Sequence, residues 1–104
     1  MEMKFYHKLY VGMHAKEQKR KIIHKAKHAK PQPGVYFITL PVNGLHNLEI
    51  YPSWVFLQPY YRKKEILVLG ISVGKDEAVQ LVEEILMDCY HQTGQFKVGD
   101  YISL

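Results

Sequence analysis

Two histidines, His24 and His28, stand four residues apart in KEQKRKIIHKAKHAK (residues 16–30), the spacing at which two imidazoles on one helix face can ligate a metal. Lys21, Lys25 and Lys27 surround them and no carboxylate or cysteine is close in sequence, so a cation would enter a positive field. Cys89 and His91 offer a nucleophile and a base, but on a helix they point about 200° apart. Cys89 also falls on the apolar stripe, where a thiol is inert. Asp88 and His91 are spaced for a surface contact and no more. GISVGKD (70–76) has the look of a phosphate-binding turn between strand and helix. Only three residues separate Gly70 from Gly74 where such a turn has four, and Asp76 stands where a hydroxyl would meet magnesium. The acids Asp76 and Glu77 also argue against a small anion on the turn's amides. No carboxylate pair, Ser-His-Asp order or glycine-rich cofactor fingerprint is present. The sequence therefore assigns no catalytic residue, metal or cofactor.

What remains is charge. Residues 16–30 hold seven of the chain's fourteen Lys and Arg residues and one acid. On the outside of a helix, Lys16, Arg20, Lys21 and Lys27 can neutralise phosphates, with counterion release making affinity fall with salt. The segment YPSWVFLQPYYRKK (51–64) sets Trp54, Tyr60 and Tyr61 beside Arg62, Lys63 and Lys64, which combines base stacking with charge. The same features also fit a solvated helix face, with Lys19 and Lys30 laying their stems on the sheet and Glu17 paired to Lys21, and a loop whose aromatics close the core. LYVG (9–12) resembles the first conserved strand of the RNA-recognition motif. The second signature of that family, a basic residue followed by Gly-aromatic-Gly/Ala-Phe, is absent, and the family is not assigned.

The elements that must position these residues follow from periodicity. KFYHKLYV (4–11) alternates as a strand. Residues 14–30 form a helix with Ala15, Ile22, Ala26 and Ala29 on one thin stripe, ended by Pro31, Pro33 and Gly34. VYFITL (35–40) and LEIY (48–51) flank Asn43-Gly44, a hairpin signature. Pro52 and Pro59 keep residues 52–64 irregular. ILVLGISV (66–73) is a continuous apolar run suited to a central strand buried on both faces. A helix spans about 76–93, acidic at its start and capped by Gly94, and QFKVGDYISL reads as a last strand.

The expected fold is α+β, with two helices on one face of a mainly antiparallel sheet of about five strands, a ferredoxin-like plait or a variant of it. Such a sheet would leave Tyr6, Tyr10, Tyr36 and Ile38 on its open face, too apolar for water, so a homodimer interface is expected there. A chain of 104 residues is read as one domain. A single cysteine excludes an internal disulfide, and the start of the chain lacks the unbroken apolar core of a signal peptide. A cytoplasmic protein with no membrane partner is expected. Residues 1–44 carry nine basic residues against two acids, and residues 45–104 five against eight. This asymmetry suits nucleic acid, an acidic protein or a second copy.

LGISVGKDEAVQLVEEILMDCYHQTGQFKV, taken with LEIYPSWVFLQPYYRKK, resembles a small group of uncharacterised bacterial proteins of about this length. The resemblance covers most of the chain, rests on structural motifs and implies no activity. Function is therefore expected to be non-enzymatic association, as a homodimer or protein-interaction module, with nucleic-acid binding as the alternative.

Overall fold

The computed structural model describes residues 2–40, 47–61 and 64–103. Strand β1 spans Glu2–Val11, helix α1 Lys19–Lys27, β2 Val35–Thr39, β3 Glu49–Pro52, β4 Glu65–Val73, α2 Lys75–Thr93 and α3 Val98–Ile102. Short 3-10 turns occupy Lys16–Gln18, Ser53–Leu57 and Pro59–Tyr61. The sheet order is β1-β4-β2-β3. β1 runs parallel to β4, while β2 is antiparallel to both β4 and β3. The Asn43-Gly44 turn lies outside the described residues.

The architecture is α+β with a four-stranded mixed sheet, and three expectations are corrected. The sheet has four strands among the described residues rather than about five, and one of its pairings is parallel, so a ferredoxin-like plait is not found. The helices do not share a face. Ile22 and Ala26 of α1 pack with Met3, Phe37, Ile66, Val68 and Ile71, whereas Ala78, Leu81, Ile85 and Cys89 of α2 pack with Tyr6, Ile38 and Leu69. Successive residues of a strand point to opposite faces, so Phe37 and Ile38 mark two separate cores. The physical cause is β4. It is apolar on both sides and can sit in water on neither, so each side takes its own cover.

The third correction concerns the end of the chain. Val98, Tyr101 and Ile102 recur at helical rather than alternating spacing, and α3 lays them against the α2 side of the sheet. The approach is set by Gly94, whose φ of +74° ends α2 in the left-handed conformation that glycine adopts without strain, its N–H donating to the Tyr90 carbonyl at 2.7 Å. No helix among the described residues is long and apolar enough to cross a membrane.

Candidate functional site

The outer surface of α1 and the turn before it is basic because its inner stripe consumes only Ala15, Ile22 and Ala26. Lys16, Arg20, Lys21 and Lys27 are all exposed. No ion pair joins Lys16, Lys19, Arg20, Lys21, Lys25, Lys27 or Lys30 to a described carboxylate, and the Glu17–Lys21 pair suggested by spacing is not formed. Lys27 instead holds its ammonium 5.9 Å from the centre of the Phe5 ring. The rings of His24 and His28 lie 4.3 Å apart, and among the described residues no group of three or more His, Cys, Asp or Glu side chains is placed to hold a metal ion.

The aromatic segment divides into an anchor and a display. Phe56 is buried and meets Phe37, Tyr51 and Tyr61 at ring distances of 5.9, 5.2 and 5.2 Å, so Tyr61 closes the core instead of offering a free ring. Trp54 and Tyr60 are 57% and 60% exposed, and the Lys64 ammonium sits 5.2 Å over Tyr60. Arg62 and Lys63 lie outside the described residues. Because Phe56 packs in the same core as Ile22 and Ala26, the aromatic turns and α1 cover one face of the sheet. Gln32 joins them, donating to the Ile22 carbonyl at 3.1 Å and accepting from Ser53 Oγ at 2.8 Å. Sequence-distant basic and stacking groups thus meet on one layer. On the opposite layer, residues 75–103 carry six acids and two lysines.

Of the expected homodimer residues, Tyr6 and Ile38 belong to the interior, and Tyr10 and Tyr36 are half-buried beside them. Tyr6 and Ile38 are 8% and 0% exposed, because α2 and α3 cover the face assigned to a partner, and Tyr36 is half-buried against the same core. Tyr10 donates to Asp88 Oδ2 at 2.5 Å and its hydroxyl lies 2.8 Å from that of Tyr101, linking β1, α2 and α3. Burial and then the Asp88 and Tyr101 hydrogen bonds push the Tyr10 hydroxyl pKa far above the ordinary tyrosine value.

A second arrangement sits at the carboxyl ends of β1 and β4. These neighbours are parallel, and the chain leaves β1 for α1 on one face and β4 for α2 on the other. In open sheets that divergence opens a crevice where ligands bind. Here it has a volume of about 630 Å³ and is lined by His14, Lys75, Asp76, Glu77, Gln80 and Met13, among others. Glu77 lies in the first turn of α2, and its carboxylate accepts from the Val73 N–H at 3.1 Å, the His14 N–H at 3.0 Å and His14 Nδ1 at 2.7 Å. An ionised carboxylate only accepts, so the proton is on Nδ1 and, in the neutral ring, Nε2 keeps its lone pair. The His14 side chain is 75% exposed while that of Glu77 is 8% exposed. Gly12 makes this possible, since a Cβ there would stand 1.8 Å from Glu77 Oε1.

Burial pushes the Glu77 pKa upward, but the His14 and Val73 backbone N–H groups and the His14 ring outweigh it and hold the carboxyl below its ordinary range. A group with a depressed folded pKa stabilises the fold above its unfolded value and loses that contribution as pH falls through its folded value. Urea midpoints measured from pH 7 downward should therefore fall through the glutamate range for the wild type and more shallowly for Glu77→Gln.

Sequence reasoning missed this pair. Two amides that might have held an external anion already hold Glu77, and a distance of 63 residues hides the partnership. The visible signal was Gly12, the glycine that closes β1 and opens the turn to Ala15. Compared with family models, curated proteins and solved structures, the chain has no match in any of the three.

Proposed function

We propose that the protein is an association module whose basic layer binds the phosphate backbone of nucleic acid. The observation that supports this most directly is the row of basic side chains from Lys16 to Lys30 without partners among the described carboxylates, on the same sheet face as exposed Trp54 and Tyr60. Phosphate contacts supply sequence-independent affinity, and exposed rings add stacking against unpaired bases. Lys16, Arg20, Lys21, Lys27 and Lys64 hold phosphates, and Trp54 and Tyr60 are the stacking candidates. Fluorescence anisotropy with single-stranded and duplex oligonucleotides tests it. Binding should tighten as salt is lowered, linearly in log–log form; no binding at low salt would refute it.

Association with a second copy is the other reading. The tyrosine face being internal, its support is the set of exposed apolar side chains Val79, Met87, Tyr90 and Phe96 on α2 and the loop that follows, with Phe96 stacked on Tyr90 at 5.1 Å. Sedimentation velocity without nucleic acid separates the two readings.

A further inference from the structure

We propose that the crevice at the carboxyl ends of β1 and β4 cleaves RNA by transesterification, with Nε2 of His14 as the general base. The inference rests on the nucleic-acid reading of the basic layer and adds a chemistry to it. A histidine whose Nδ1–H is fixed on a buried carboxylate presents Nε2 in a set direction, and here that ring is exposed in the wall of a crevice large enough for a nucleotide. None of the residues lining the crevice is Ser, Thr or Cys. The crevice thus offers a base with no hydroxyl or thiol nucleophile lining it, which fits a substrate that carries its own hydroxyl. RNA does, in the 2′-hydroxyl. Asp76 and Glu77 also line the crevice and keep a phosphate off the turn's amides, so the substrate's phosphates are held by Lys75 and by the adjoining basic layer, His14 preceding Lys16 by two residues.

The atoms balance without a further reactant. The 2′-oxygen forms a bond to the adjacent phosphorus as the bond from phosphorus to the 5′-oxygen breaks. The 2′-hydroxyl proton passes to His14 Nε2, and the departing 5′-oxygen takes a proton from the Lys75 ammonium on the same crevice wall. The products are a 2′,3′-cyclic phosphate and a 5′-hydroxyl. Met13, at 78% the most exposed large apolar side chain among the described residues, lies on the crevice wall and offers a surface to a base.

The test uses the full chain in excess over three labelled oligonucleotides of one sequence: RNA, 2′-O-methyl RNA and DNA. All three should bind in a salt-dependent manner, and only the RNA should be cut, leaving the cyclic phosphate. His14→Ala at saturating protein should slow the cut by about 10²–10⁴-fold, the range supplied by one acid–base group. Because His14 is exposed, this variant keeps the fold, which circular dichroism verifies. RNA that is bound but uncut overturns the cleavage inference and leaves the binding reading standing. Cleavage unchanged in His14→Ala overturns the assignment, and binding of none of the three overturns both.

Discussion

Replacing Lys16, Arg20, Lys21 and Lys27 together by alanine should weaken oligonucleotide binding by about 10³-fold at 0.1 M salt and flatten the salt dependence. Each phosphate contact contributes roughly 0.7 to 0.9 to the slope of log affinity against log salt, so four contacts account for a slope of about 3. The fold should survive. All four side chains are exposed, none has a partner among the described carboxylates, and alanine is the best helix former. The expected pattern is an unchanged Tm, unchanged sheet signals and a uniform loss across sequences. A loss restricted to particular sequences would mean that these side chains read bases, and no loss would remove them from the interface. Lys27 carries the smallest share, since its ammonium is already drawn toward the Phe5 ring.

Gly12→Ala should lower stability by about 2 kcal/mol, which for a domain of this size corresponds to a Tm lower by roughly 8–16 °C. The added Cβ would stand 1.8 Å from Glu77 Oε1, 2.3 Å from Cδ and 2.4 Å from Cγ. The whole carboxylate must leave, and the amides of His14 and Val73 lose their acceptor. A double-mutant cycle isolates the cause. In a Glu77→Ala background the atoms that clash are gone, so adding Gly12→Ala should cost little, and the two effects should be strongly non-additive. Additive effects would show that Gly12 serves backbone geometry instead of making room for Glu77. The same variant should also release the His14 ring, giving it a different imidazole NMR signal from the wild type.

Much of the secondary structure was legible because it depends on local pattern. β1, β2, β3, β4 and α2 lie close to their expected positions, and the Gly94 stop follows from a glycine that must take a positive φ. Which face each helix covers depends on long-range packing. Even so, ILVLGISV held the decisive clue, for a strand apolar on both sides needs cover on both. The two-on-one-face arrangement conflicted with that requirement, and the assignment of Tyr6 and Ile38 to a dimer interface fell with it. QFKVGDYISL has enough alternation for a strand and enough spacing for a helix, and its docking surface against α2 decided in favour of the helix.

The candidate surface was legible in part. Arg20, Lys21 and Lys27 are exposed as expected because a helix with a thin apolar stripe has a broad outer face, although α1 covers only Lys19–Lys27 of the expected 14–30 and Lys16 is exposed in the 3-10 turn before it. Trp54 and Tyr60 are displayed, while Tyr61 is recruited by Phe56, a distinction composition cannot make between neighbouring tyrosines. The union of both segments on one layer required knowing that Phe56 and Ile22 share a core. His14 and Glu77 were invisible as a pair because 63 residues separate them.

The most direct test of the basic layer is a titration of ¹⁵N-labelled protein with a short unlabelled single-stranded RNA, 2′-O-methylated to block cleavage, followed by amide and indole NMR signals. The expected result is shifts concentrated in residues 16–30, the Trp54 indole and residues 58–64, with the outer face of α2 silent and the shifts reversed by salt. Shifts concentrated on α2, or none at concentrations where the basic layer should be saturated, would contradict it.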